Sequence, residues 1–186
     1  MTKRYVILKA KDVIGPLPDG RALIVLTAKK KVFPIHCSLS DGAACYAHLV
    51  GSPFDSPYVF LSSSLRTVAG IKLKNCLMTN VEGQPYGVSY FVGPKWVKPL
   101  RKSSENPAEP LNLSLAAGEN FLVEKESFEQ IVDSAEAFVC LKNSLGCHKE
   151  QGGLWNLAPL TNTVELKALD EFMERAMPNG SIFAKA

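Results

Sequence analysis

The chain has 186 residues, of which 46% are hydrophobic and 21% charged, and its formal net charge is +3 at pH 7. This composition is typical of a folded globular domain and excludes a disordered or collagen-like chain. The charge is too small to indicate nucleic-acid binding by itself, and no apolar run approaches the length of a membrane-spanning helix.

The cysteines favour a reducing compartment. They are Cys37, Cys45, Cys76, Cys140 and Cys147, an odd and scattered set without a C-x-x-C pair. Such a set is typical of free thiols rather than of a disulfide framework. Because no signal-peptide pattern follows Met1, we expect a cytoplasmic protein that is not associated with a membrane.

The first fifty residues predict three strands and a helix. The runs Tyr5–Lys9 and Arg21–Thr27 flank the turn residues Gly15–Gly20, and the second run is apolar on both faces, which predicts a central strand. A third strand around Phe33 leads into a helix that begins at Ser38 or Ser40, carries Asp41 in its first turn and ends at Gly51.

The middle of the chain predicts a helix and a hairpin. The helix begins after Ser56 with Pro57 and ends at Gly70, and its apolar stripe consists of Tyr58, Leu61, Leu65 and Val68. Strands are expected at Ile71–Thr79 and Tyr86–Val92, joined by a turn at Glu82-Gly83. An edge strand at Lys95–Leu100 and a loop at Arg101–Asn106 are expected to follow.

The last third predicts mainly helices. A short helix that contains Leu111 and ends at Gly118 is followed by a strand at Phe121–Val123 and by an amphipathic helix at Glu124–Ala137. Cys140–Pro159 is expected to be irregular. The final helix, Thr163–Met177, has a broad apolar face that either packs on its own domain or mediates association with another chain.

These elements predict an α+β fold with a mixed sheet, flanking helices and a C-terminal helix. The two halves follow the same order, three strands and two helices, which suggests a duplicated β-β-β-α-α unit. We place the domain at residues 1–137 and a C-terminal extension with one helix (163–177) at residues 138–186.

Four segments resemble the bifunctional nuclease domain family, long catalogued as a domain of unknown function. They are Tyr5–Thr27 (its opening hairpin), Val32–Gly51 (its Pro-Ile strand and helix), Asp55–Phe91 (a helix and hairpin) and Asn106–Gln130 (its Arg-Pro-Ser-Asp-Ala close). The resemblance implies activity on DNA or RNA and an oligomer, most simply a dimer.

The motif residues of that family are partly replaced. Asp41 lies where the family has Glu, and Glu109 lies where it has the Asp of Arg-Pro-Ser-Asp. Asn106 and Ala108 replace the Arg and Ser of that motif. In the earlier helix, Ser56 replaces an Arg, and Phe60 and Leu61 replace a His-Asp pair.

Asp41 and Glu109 are the candidate catalytic and metal-binding residues. Each lies at the start of a helix in one of the two halves, so packing about a pseudo-twofold axis would bring the carboxylates together to bind Mg²⁺ or Mn²⁺. The alternative, which is the more common role of acids in a first helical turn, is that both simply stabilise a helix N-terminus without any metal. His36 is a candidate general base or, alternatively, a hydrogen-bonded, half-buried histidine.

A basic group near Tyr90 and Trp96 is a candidate contact for a nucleic-acid backbone. It consists of Lys95, Lys98, Arg101 and Lys102, and lysines that protect a sheet edge are the alternative interpretation.

Two functions follow as hypotheses. The first is a divergent nuclease with metal-dependent cleavage of DNA or RNA. The second is a non-catalytic, self-associating interaction or regulatory protein that keeps the fold and has lost the polar motif residues.

Overall fold

The computed structural model describes residues 5–52, 56–79, 84–93, 100–145, 154–155 and 163–180. Its strands are β1 (Tyr5–Gly15), β2 (Arg21–Ala28), β3 (Lys31–Ser38), β4 (Lys72–Thr79), β5 (Pro85–Val92), β6 (Leu100–Ser104), β7 (Phe121–Glu124) and β8 (Leu154–Trp155). Its helices are α1 (Leu39–Leu49), α2 (Pro57–Ala69), α3 (Ala108–Ala117), α4 (Lys125–Gln130), α5 (Ala135–Ser144) and α6 (Thr163–Ala176). Within these ranges, every helix is too short or too polar to span a membrane. The predicted turn at Glu82-Gly83 lies outside the described residues, as do Lys95, Trp96 and Lys98.

The predicted α+β fold with a mixed sheet, flanking helices and a C-terminal helix is confirmed. Seven strands lie in the order β3-β2-β1-β7-β4-β5-β6, and β8 pairs with β1 in parallel. Two antiparallel meanders, β1–β3 and β4–β6, flank β7, which is antiparallel to β1 and parallel to β4. Each meander is followed by a helix, α1 or α3. A common origin of the two halves stays a prediction.

Strand β2 is apolar without alternation because both of its faces are covered. The first core lies between the sheet and helices α1 and α3, and it includes Ile24, Leu26, Cys45 and Leu111. The second core lies on the opposite face, under α5 and α6, and it includes Leu23, Val25, Phe138 and Phe172.

The C-terminal helix α6 packs on its own chain. Its residues Leu169, Phe172 and Ala176 are buried in the second core. The ring centroid of Phe172 lies 5.5 Å from that of Phe138 in α5. Of the two roles predicted for this helix, docking on its own domain is therefore the one that the structure shows.

The prediction of one helix from Glu124 to Ala137 is wrong. The chain forms α4 and α5 instead, with Ile131 in an extended conformation between them. Ile131 is buried, and its carbonyl accepts a hydrogen bond from Lys31 Nζ at 2.6 Å. This contact with β3 stabilises the break.

Helix α5 begins after Ser134, whose hydroxyl donates to the carbonyl of Val32 at 2.6 Å. It continues to Ser144, so part of the region predicted to be irregular is helical. The boundary predicted between residues 137 and 138 falls inside this helix.

The edge strand β6 extends into the region predicted to be a loop, and residues 95–99 of the predicted edge strand lie outside the described residues. It covers Leu100–Ser104, where a loop was expected from Arg101 onward. Pairing with β5 explains the difference, because Arg101 lies opposite Tyr90 and Ser104 opposite Gly87. Four of its five side chains are exposed, so its sequence lacks the apolar signal of a strand.

Helix α2 begins and ends as predicted, but its apolar stripe does not face a core. Ser56 caps the helix by accepting from the backbone amide of Val59, and Gly70 ends it in the left-handed conformation. Leu61 is 43% exposed and Val68 is 86% exposed, whereas Ser62 is the buried residue of the helix. The helix therefore turns a largely apolar surface to solvent.

Candidate functional site

Asp41 is fixed at the start of α1 by the serine that caps the helix. The backbone amide of Asp41 donates to Ser38 Oγ at 3.1 Å, and this hydroxyl donates to Asp41 Oδ2 at 2.8 Å. Serine is favoured at this position because its side chain accepts a hydrogen bond from a backbone amide that has no partner within the helix. The Asp41 side chain is buried, with only 7% exposed.

Two further elements donate to the Asp41 carboxylate. Tyr58 of α2 donates its hydroxyl to Oδ1, and Asn106, between β6 and α3, donates Nδ2 to Oδ2 at 2.8 Å. Asn112 of α3 donates to the backbone carbonyl of Asp41 at 3.0 Å. Asp41 thus connects α1, α2 and α3, and we call this place the helix junction.

Glu109 belongs to the same network. Ser104 Oγ donates to Glu109 Oε2 at 2.6 Å and accepts from the backbone amide of Asn106 at 3.2 Å. Because Asn106 also donates to Asp41, a short chain of hydrogen bonds joins the two acids that were selected from the sequence. The amide oxygen of Asn106 accepts from the backbone of Ala108 at 3.0 Å and so caps α3.

Tyr58 is held in its neutral form. Burial is the main cause that raises its pKa, and the hydrogen bond to Asp41 and the negative charges of Asp41 and Glu109 raise it further. A hydrogen bond with Asn112 acts in the opposite direction. Since the hydroxyl keeps its proton well above neutral pH, it remains a donor to Asp41.

We expect Tyr58→Phe to destabilise the protein by about 1–2 kcal/mol at neutral pH, because one donor to a carboxylate is removed. The native pKa of Tyr58 is raised, so its contribution is complete below pH 10, where the unfolded tyrosine is protonated, and is lost as the pH rises further. Urea unfolding between pH 7 and 11 should show stability falling more steeply for the unmodified chain than for the variant. If the stability of the two proteins changed with pH in the same way, the hydrogen bond from Tyr58 to Asp41 would not have the stabilising role assigned to it.

His36 does not join the helix junction. It lies on β3 with its side chain towards α6, whereas the neighbouring Ile35 and Cys37 pack in the first core. It lines a groove of about 470 Å³ beside Asp19 of the β1–β2 turn and Leu169 of α6. Burial, and to a lesser degree Arg21, lowers its pKa, so that His36 is neutral at pH 7. The structure thus separates His36 from the acid pair with which it was predicted to act.

Cys37 and Cys45 are buried, as expected for small apolar residues. Burial raises the pKa of both thiols to about 12. Neither is ionised at neutral pH, so neither is a ready nucleophile.

The helix junction offers oxygen ligands of the kind that Mg²⁺ and Mn²⁺ prefer: two carboxylates, an asparagine and serine hydroxyls. In the part of the chain that the structure describes, no three His, Cys, Asp or Glu side chains are grouped to hold a metal ion. Oδ2 of Asp41 accepts from Ser38 and Asn106, and Oδ1 accepts from Tyr58, so donors already occupy most of the positions at which a cation would bind this carboxylate.

Sequence reasoning missed Tyr58, Asn106, Asn112 and Ser104 as members of the site. Tyr58 was assigned to an apolar stripe, although its hydroxyl is a signal that one end of the side chain needs a polar partner. Asn106 was noted only as a replacement for a family arginine. Its position directly before Pro107 and α3 is a capping signal.

No protein-family model matches the chain. No curated protein matches it significantly. Membership of the bifunctional nuclease family therefore stays a prediction that rests on the sequence segments quoted above.

Proposed function

We propose that the chain is a divergent bifunctional-nuclease-like protein that cleaves phosphodiesters of DNA or RNA at the helix junction. The observation that supports this proposal best is the convergence of Asp41 and Glu109, which come from different halves of the chain and share the Asn106–Ser104 hydrogen-bond chain. Carboxylates brought into one hydrogen-bond network are groups that metal-assisted phosphodiester cleavage can use.

In this proposal Asp41 and Glu109 bind Mg²⁺ or Mn²⁺. The cation, when bound, neutralises charge on the phosphate and activates a water molecule. Asn106 orients Asp41 and links it to α3. Tyr58 keeps its proton, donates it to Asp41 in a hydrogen bond and so helps to orient this carboxylate. His36 has no part in this site.

The test is cleavage of labelled single-stranded DNA, duplex DNA and RNA by the purified full chain in Mg²⁺, Mn²⁺ or EDTA. We expect metal-dependent cleavage that falls by at least about tenfold in Asp41→Asn and in Glu109→Gln, since residues that support a metal site commonly have effects of this size. Glu119→Gln, an exposed residue just beyond α3, is the matched control and should cleave normally. Absence of cleavage in both metals, or full activity of both site variants, would refute the proposal.

A second candidate function is a non-catalytic interaction protein that associates with itself. The hydrogen bonds that occupy Asp41 favour a structural role for this carboxylate, and helix α2 offers a surface for association. Phe60 is 77% exposed and Val68 86% exposed. They lie eight residues, or about 12 Å, apart on one side of the helix. Arg66 is the only charged residue in α2, so two copies of this surface meet without strong like-charge repulsion.

Analytical ultracentrifugation tests this second candidate. A dimer that dissociates in Phe60→Ser/Val68→Ser, but not in the control Val139→Ser on an exposed part of α5, is the expected result. A monomer at all concentrations, or a dimer unaffected by the α2 changes, would contradict it.

A further inference from the structure

The register of the second meander places basic and aromatic residues in one row across three strands. Lys74 of β4 lies opposite Tyr90 of β5, and Tyr90 lies opposite Arg101 of β6. Lys72 lies opposite Val92 in the next row on the same face, because side chains two residues apart in a strand share a face. Because these residues lie far apart in the chain, the sequence alone does not show that they form a row.

This row lies on the side of the sheet away from α3. On the helix side, Asn75 donates to Ser114 of α3 at 2.8 Å, and Gly87 lies so close to Pro110 that a Cβ atom would be 2.2 Å from its ring. Lys72 and Lys74 alternate with Asn75 and point the other way, and both are exposed. We call the side that carries them the open sheet face.

The first strand extends the open sheet face. Tyr5 and Ile7 of β1 pair with Glu124 and Leu122 of β7. The ammonium group of Lys74 lies over the Tyr5 ring, 4.1 Å from its centroid, so side chains of β1 and β4 are in contact across β7 on this face. Ile7 and Lys9 are exposed, and Tyr5 is half-buried.

Arg101 is also held beside an aromatic residue. It lies opposite Tyr90 across the β5–β6 pair, and the neighbouring phenols of Tyr90 and Tyr86 raise the pKa of Arg101. Arg101 is fully exposed, and Tyr90 is half-buried. The cation and the ring are therefore presented to solvent as a pair.

The charge of the open sheet face is strongly biased. Among the described residues, its basic side chains are Lys9, Lys72, Lys74 and Arg101, and its acidic side chain is Glu124. The whole chain has a net charge of only +3, so positive charge is concentrated on this face. The exposed part of this face is limited to the rows that carry these residues, because Cys76 and Val88, the next pair on the same side of β4 and β5, are buried.

We propose that the open sheet face binds single-stranded nucleic acid. Lysine and arginine neutralise phosphates, and half-exposed tyrosines stack on bases, which are accessible when a strand is unpaired. A duplex hides the faces of its bases, so it would use the cations alone. The site lies on the side of the sheet opposite to the helix junction and does not depend on cleavage there.

The test is fluorescence anisotropy of labelled fifteen-nucleotide DNA and RNA single strands, titrated with the full chain in EDTA so that no metal-dependent cleavage occurs. We expect binding that weakens with salt. In Lys74→Gln/Arg101→Gln, the slope of log affinity against log salt should flatten by about 1.4, or 0.7 for each phosphate that the variant no longer neutralises. The matched control, Lys167→Gln/Arg175→Gln, removes the same charge from exposed positions of α6 and should bind normally.

Variants of Tyr90 test the stacking part of the proposal. Tyr90→Leu should weaken binding by about five- to 150-fold, which corresponds to removal of one base stack, while Tyr90→Phe keeps the ring and should bind nearly normally. Circular dichroism of each variant checks that the fold is kept. Equal affinity for duplex and single strands, equal weakening in the α6 control, or no binding at 50 mM salt would overturn the proposal. Because cleavage is measured separately at the helix junction, either proposal can fail without the other.

Discussion

Asp41→Ala is expected to lower the free energy of unfolding by about 3 kcal/mol, one of the two largest single effects that we predict for this protein. The substitution removes the shared acceptor of Ser38, Tyr58 and Asn106, and hydrogen bonds to a charged group contribute about 1.5–3 kcal/mol each, with partial compensation by water. Urea unfolding followed by circular dichroism measures the change.

The matched control for this prediction is Asp170→Ala. Asp170 is an exposed residue in the middle of α6, so its replacement should change stability by no more than about 0.5 kcal/mol. If Asp41→Ala cost less than about 1 kcal/mol, the helix junction would not be the structural link between α1, α2 and α3 that its hydrogen bonds indicate.

The comparison of Asp41→Ala with Tyr58→Phe adds a test of the network itself. Groups in one hydrogen-bond network do not contribute independently, so the double variant should cost less than the sum of the two single variants. Strict additivity would indicate that Tyr58 and Asp41 act separately.

Phe172→Ala is expected to lower the free energy of unfolding by about 3–5 kcal/mol, the usual cost of removing a buried aromatic ring. Phe172 is fully buried in the second core, where it contacts the ring of Phe138 and attaches α6 to the sheet. The measurement is again urea unfolding at neutral pH.

Val164→Ala on the same helix is the control, since Val164 is 64% exposed and its replacement removes little buried apolar surface. A Phe172→Ala variant as stable as this control would show that α6 packs only loosely on the domain. In that case the apolar face of the helix would again be a candidate surface for association with another chain.

Local signals in the sequence were sufficient for most of the elements. Ser56 and Gly70 were recognised as helix caps, and Ser38 was one of two candidates beside Ser40, because capping depends on contacts within a few residues. The uninterrupted apolar run of β2 predicted a central strand, and both of its faces are indeed covered. The sequence pattern of α6 predicted its first residue correctly and its last residue to within one position.

Other features depended on distant parts of the chain. The break between α4 and α5 is stabilised by Lys31 and Val32, about a hundred residues earlier, so no local pattern reveals it. Strand β6 is a strand because it pairs with β5, although its own side chains are mostly exposed. The apolar residues of α2 recur with the period of a helix. This period alone does not determine whether they face a core or solvent.

At the helix junction, too, some features follow from the local sequence and others from contacts between distant parts of the chain. The sequence by itself identified Asp41 and Glu109 as acids in the first turns of two helices. Only the tertiary structure decided that Asn106 and Ser104 connect them, that Tyr58 donates to Asp41, and that His36 lies on the other side of the sheet. The physical reason is that capping and helical period are set by neighbours in the chain. The partners of a buried carboxylate are set by the packing of elements that lie far apart in sequence.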